Sequence, residues 1–92
     1  MAWYQVAYHP LVIDDLSTAD PGIAQRLLDK TKWLASNVEN LRHDPLHPDL
    51  PHLSKYAVAD WRIVYAIDRD EQVVDIHRIT TRGELYRTRS SR

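Results

Sequence analysis

Two runs rich in apolar and β-branched residues, Trp61 to Ile67 and Val73 to Ile79, flank the charged stretch Asp68-Arg69-Asp70-Glu71-Gln72, and neither run contains Gly or Pro. This is the pattern of adjacent antiparallel strands joined by a hairpin loop. A symmetric five-residue turn pairs Ile67 with Val73 and, counting back, sets Arg62 opposite Arg78. Directly opposed like charges destabilise a sheet, so this register predicts two arginines that turn to solvent or share an anion.

Before the hairpin, Met1 to Tyr8 alternates Trp3, Gln5, Ala7 against Tyr4, Val6, Tyr8 and reads as a first strand. His9-Pro10 breaks it, and Pro10 to Ser17 reads as a short helix with Leu11, Val12 and Leu16 inward and Asp14 and Asp15 outward. Asp20-Pro21-Gly22 restarts a helix, Asp20 as cap and Pro21 where its missing N–H costs nothing. Ile23, Leu27, Leu34 and Val38 then form one stripe, with Ala24, Leu28, Thr31 and Ala35 beside it, a sheet-facing pattern. Leu41 to His52 carries prolines at 45, 48 and 51 and reads as loop. Leu53 to Val58 alternates and leads through Ala59-Asp60 into the hairpin.

These elements predict an α+β fold: an N-terminal strand, a two-helix hairpin, then a three-stranded antiparallel meander with the helices on one face. Length predicts a single domain over residues 1–92, with residues 88–92 frayed. Trp3, Trp33, Trp61 and Tyr65 are the aromatic core candidates.

Composition narrows the classes further. The chain has no cysteine, which excludes disulfides and thiolate metal sites. No run of 18 apolar residues and no basic start followed by an apolar stretch is present, so neither a membrane span nor a secretory signal is expected, and the location expected is cytoplasmic. His43, His47 and His52 with Asp44 and Asp49 invite a metal reading, but no helix face gathers them, and a solvated loop is the simpler expectation. The net charge of −1 argues against a general nucleic-acid binder, yet residues 1–52 carry a net −3 and residues 53–92 a net +2. From Ile76 onward five arginines face Glu84 alone, enough to hold a local anion; Arg87, Arg89 and Arg92 also read as a solvated tail.

The strand order, together with Leu53-Ser54-Lys55-Tyr56-Ala57-Val58-Ala59-Asp60-Trp61-Arg62-Ile63-Val64-Tyr65 and Val74-Asp75-Ile76-His77-Arg78-Ile79-Thr80-Thr81-Arg82-Gly83-Glu84-Leu85-Tyr86-Arg87, resembles the RelE/ParE toxin superfamily. The likeness rests on the aromatic-Arg-apolar-apolar-Tyr strand and on the ending Arg-x-Glu-apolar-Tyr. It implies a RelE-like fold and a toxin of a type II toxin–antitoxin pair. In the RelE branch such toxins cut messenger RNA in the ribosomal A site; in the ParE branch they poison DNA gyrase. The basic positions of the RelE branch map onto Lys55, Arg62, Arg82 and Tyr86 as catalytic candidates. Arg78, His77 and Arg87 are weaker candidates for RNA or phosphate binding.

The chemistry implied is attack of the ribose 2′-OH on its own phosphate, with no metal or cofactor. Arg62 would grip phosphate oxygens and Arg82 add a second cation. Lys55 is the candidate acceptor of the 2′-OH proton, and Tyr86 would stack on a base or donate a proton. The implied partners are a cognate antitoxin, the ribosome and messenger RNA, with oligomers formed with the antitoxin and no membrane. Read without the resemblance, Arg62 reads first as paired with a carboxylate such as Asp75 or Glu84, and His77 as structural. Ala57 stands at a second basic position of the family, and Thr80-Thr81 replaces a Gly-His pair before Arg82. Three readings therefore stay open: a ribosome-dependent endoribonuclease, a gyrase inhibitor, and an inactive binding module.

Overall fold

The computed structural model describes residues 3–85, in the order β1 (Gln5–Tyr8), α1 (Leu11–Ser17), α2 (Pro21–Ser36), a 3-10 turn (Val38–Asn40), β2 (Asp44–His47), β3 (Leu50–Val58), β4 (Trp61–Asp68) and β5 (Val73–Thr81). Residues 82–85 begin a further helical turn. Asp20 caps α2 as its sequence predicts: the carboxylate accepts the Gly22 N–H at 3.1 Å and Pro21 takes the first helical position. The apolar stripe then buries Leu27, Thr31, Leu34 and Ala35, and Val38 extends it past the helix end. In α1 Val12 is buried and Leu16 packs against the core, while Leu11 is exposed.

The sheet is five-stranded in the order β1-β5-β4-β3-β2. β2 to β5 form an antiparallel meander, and β1 joins its far side parallel to β5. The fold is thus the expected α+β arrangement with one strand more, because the proline-rich stretch is not all loop. Asp44–His47 pairs with the start of β3, and β3 begins at Leu50 with Pro51 inside it. Proline lacks the donor a central strand needs, but β2 is an edge strand and its pairing with β3 is irregular between Pro45 and His47.

The register of the central hairpin also departs from the symmetric expectation. Asp68 pairs with Val73, so the turn is residues 69–72, with Gln72 at φ 57°. Farther along, Tyr65 pairs with Ile76 but Val64 with Arg78, which leaves His77 as the extra residue of a β-bulge. The two shifts add up, and Arg62 faces Thr80 while Arg78 faces Val64. The arginines are not opposed. The bulge also reverses which residues of β5 face inward: Val74 and Ile76 point to the core before it, Ile79 after it, and all three are fully buried.

Ile63, Tyr65, Val74, Ile76 and Ile79 of the sheet meet Leu27, Leu34, Ala35 and Val12 of the helices in one core. Of the aromatic candidates Tyr65 is buried and Trp61 packs at the core's margin, but Trp3 is 68% exposed and Trp33 39%. Tyr4 takes the inward place next to Trp3, and Trp33 lies tilted on Tyr56 with the Lys30 ammonium 4.4 Å above its ring. His43 is no solvated loop residue. Its Nε2 donates to the Val38 carbonyl (2.9 Å), which leaves Nδ1 to accept the Tyr65 hydroxyl at 2.6 Å.

Burial pushes the Tyr65 phenol up to about 12. An unfolded chain loses that proton near pH 10, so the unfolded state is favoured progressively as pH rises from about 10 to about 12, and not below that window. Denaturation midpoints across that range, with absorbance to follow phenolate formation, should show this loss in wild type. Tyr65→Phe should remove that part of the loss; an unchanged pH dependence would contradict the assignment.

Candidate functional site

Side chains of directly paired residues lie on the same side of a sheet. Lys55, Val64 and Arg78 therefore make one row across β3, β4 and β5, and Ala57, Arg62 and Thr80 make the next. Both rows are on the face turned away from α2, whose partners are Ile63, Tyr65 and Ile79. Strands run about 4.8 Å apart, which puts the Lys55 and Arg78 backbones about 10 Å apart with Arg62 some 7 Å along β4 from the line joining them. Beside Arg78 on this face opens a cavity of about 250 Å³ lined by Leu46, Leu53, Val64, His77, Arg78, Thr80 and Leu85. Its floor is apolar enough that Val64 is only 3% exposed although α2 lies on the opposite face.

Each cation is held differently. Arg62 folds back on the β3–β4 turn, its Nη1 donating to the carbonyls of Ala59 (3.0 Å) and Trp61 (2.9 Å), and among the described residues no carboxylate pairs with it. Ala59 sits at φ 53°, a left-handed conformation that costs an L-residue about 1–2 kcal/mol. The same turn receives the Arg82 backbone N–H on the Asp60 carbonyl at 2.8 Å, so the start of the 82–85 turn is tied to the hairpin tip that Arg62 grips. Lys55 has Asp44 as its cross-strand neighbour on β2 and is itself engaged by other groups.

Arg78 is bound most firmly. Its Nε and Nη2 donate to the two oxygens of Asp15 at 2.9 and 2.8 Å, and the Ile79 N–H donates to the same carboxylate at 3.0 Å. The hydrogen bond to Asp15 raises the guanidinium above its already high ordinary value. Asp15, expected outward, is turned in, with its side chain only 9% exposed. The structure thus brings Lys55, Arg62, Arg78 and His77 to one face with Arg82 at its end; Tyr86 and Arg87 lie outside the described residues. A row of cations over an apolar floor can hold a phosphodiester and seat an apolar or planar group beside it.

A family model described as the ParE toxin of type II toxin-antitoxin systems, parDE, matches residues 6–86. The chain belongs to the RelE/ParE toxin superfamily. Among solved structures, the RelBE2 toxin–antitoxin complex of Mycobacterium tuberculosis is similar at 23% identity and a TM-score of 0.78, covering 90% of this chain and 95% of that one. Free RelE of E. coli, as a mutant, is similar at 15% and 0.72, covering 95% and 93%. The E. coli DinJ-YafQ complex is similar at 17% and 0.69, covering 90% and 97%. Identities this low show a shared fold. The comparison with curated proteins finds no match.

In this RelE/ParE member two residues escaped the sequence reading. Asp15 gave no local signal, because its partners are more than 60 positions away. Thr81 did: Thr81-Arg82-Gly83-Glu84 has the spacing of a capping box, and Thr81 Oγ1 accepts the Glu84 N–H at 3.2 Å. Replacing Thr81 by Ala should weaken the 82–85 turn by about 1 kcal/mol. Amide exchange at Glu84 and Leu85 should then quicken several-fold while the core amides are unchanged; equal rates in both proteins would show that the cap does not hold the turn.

Proposed function

We propose that this toxin cuts messenger RNA on the translating ribosome in the cytoplasm. The observation that carries the reading is the placing of Lys55, Arg62 and Arg78 on the sheet face turned from α2, beside a cavity that Arg78 and His77 line, with Arg82 at its end. In the reaction the 2′-oxygen bonds to phosphorus as the bond to the 5′-oxygen breaks, and the proton lost from the 2′-OH is balanced by one gained at the leaving oxygen. Arg62 uses one edge of its guanidinium on the turn carbonyls, which leaves the other for phosphate oxygens. Arg82 adds charge from the hairpin tip, and such preorganised cations are commonly the largest catalytic contribution. Lys55 is the acceptor of the 2′-OH proton, His77 lines the same cavity as the nearby group able to relay a proton near neutrality, and Tyr86 serves the leaving oxygen.

A gyrase-directed toxin is the second reading, favoured by the ParE name of the matching family model and by Thr80-Thr81 where the RNA-cutting branch carries Gly-His. Induced expression separates the two. Cleaved message with intact chromosomes supports the nuclease, and Arg62→Ala should lower cleavage about 100-fold. Double-strand breaks with intact message would replace it with the gyrase reading.

Solved relatives such as the RelBE2 complex contain an antitoxin, and we propose that the antitoxin of this chain lays an acidic segment across Arg62 and Arg82. Affinity should then fall as salt rises, and a double substitution of Arg62 and Arg82 by Ala should slow association more than it speeds release, by stopped-flow measurement. Affinity indifferent to both would place the antitoxin on the helices instead.

A further inference from the structure

Asp15 is a carboxylate turned inward, its side chain only 9% exposed. α1 runs along the outer edge of β5 just past the point where β1 stops pairing with it at Ile76. There Asp15 accepts three hydrogen bonds, two from the Arg78 guanidinium and one from the Ile79 backbone. A guanidinium has five N–H groups in a planar fork. Two of them, on Nε and Nη2, are directed at Asp15, so those left to meet a ligand are the pair on Nη1 and the second on Nη2. Arg78 also spans two cavities: that of the face turned from α2, and one of about 350 Å³ that Asp15, Trp61 and Glu84 help line. The fork therefore cannot turn freely, and the Asp15–Arg78 pair carries no net charge.

We propose that Asp15 is a positioning residue for the phosphate site: it fixes which edge of Arg78 faces a bound anion and cancels its charge, so that Arg78 serves as an oriented donor while Arg62 supplies the net positive charge. The inference rests on reading the face turned from α2 as a phosphate site. If Asp15 only fastened α1 to the sheet, substituting it would loosen α1 without changing how many phosphates the site neutralises, and the Ile79 N–H can be satisfied by a neutral amide oxygen. Asp15→Asn keeps that acceptor and the size of the side chain, removes the charge, and puts an NH2 that cannot accept where Arg78 Nη2 donates.

The test uses the full chain and a 2′-O-methyl oligoribonucleotide, which lacks the free 2′-OH that cleavage needs. Its dissociation constant is measured between 50 and 200 mM salt for wild type, Asp15→Asn, Arg78→Gln and the double variant, each checked for an unchanged circular dichroism spectrum. Each phosphate newly neutralised on a single strand adds about 0.7 to the logarithmic salt slope, so a fourfold rise in salt weakens binding about 2.6-fold more. Asp15→Asn should bind more tightly at low salt and gain about one such increment. Arg78→Gln should remove that increment in the Asp15→Asn background and leave the slope nearly unchanged in the wild-type background. An equal effect of Arg78→Gln in both backgrounds, or no gain in slope from Asp15→Asn, overturns the proposal alone. Oligonucleotide binding by wild type that does not depend on Lys55 and Arg62 overturns the phosphate site and the proposal with it.

Discussion

The free edge of β5 is the constraint from which much of the rest follows. β1 pairs with β5 only from Val73 to Ile76, whereas β5 runs on to Thr81. Beyond Ile76 the outer backbone groups of β5 lack a strand, and a buried N–H without a partner costs about 1–3 kcal/mol. The chain meets this need with α1. The His9 N–H closes onto the Ile76 carbonyl, and Asp15 takes the Ile79 N–H. A carboxylate drawn that far from water requires a cation in turn. Arg78, one residue away, supplies it.

The bulge at His77 makes this compatible with a core. Without the extra residue, strand alternation would send Arg78 inward with Ile76, and Ile79 outward. With it, Ile79 fills the space beside Ile63 while Arg78 turns to the other face and reaches round to α1. One inserted residue thus serves the hydrophobic core and the basic face together. It also explains why β4 reads as a continuous apolar run from Ile63 to Tyr65: the core covers one face, and the cavity formed with Leu46, Leu53 and Leu85 shelters Val64 on the other.

A fold of this kind hosts more than one activity, so function has to be argued from the site. The solved structures at 15 to 23% identity share the scaffold, and the family model over residues 6–86 gives the toxin superfamily. The chain's net charge of −1 is compatible with an anion site because the charge is local. Lys55, Arg62 and Arg78 share one face, and Arg69 is tied to Glu39 away from it. An arrangement of this sort binds one phosphodiester segment in a defined place and is poorly suited to coating nucleic acid at large.

What the amino-acid sequence determined by itself is what neighbouring residues decide among themselves. Asp20-Pro21 starts α2, the 3.6-residue stripe buries its Leu27 face, and the runs from Trp61 and Val73 are strands; the likeness of those strands to a toxin family gave the superfamily. The placement of Arg62 and Lys55 on one face also follows, since it needs only strand alternation and the short Ala59-Asp60 turn. The tertiary structure alone decided that Pro45 can sit in a strand, because that depends on the strand being an edge. It decided that Trp33 stays outside, because Tyr56 and Lys30 take its ring at the surface. It decided, above all, the fate of Arg78. A symmetric count sets Arg78 against Arg62, but a bulge is settled by which residue the core accepts, and the carboxylate that binds Arg78 lies 63 positions earlier. No local spacing encodes a pairing across that distance; it exists only once α1 has docked on the open edge of β5.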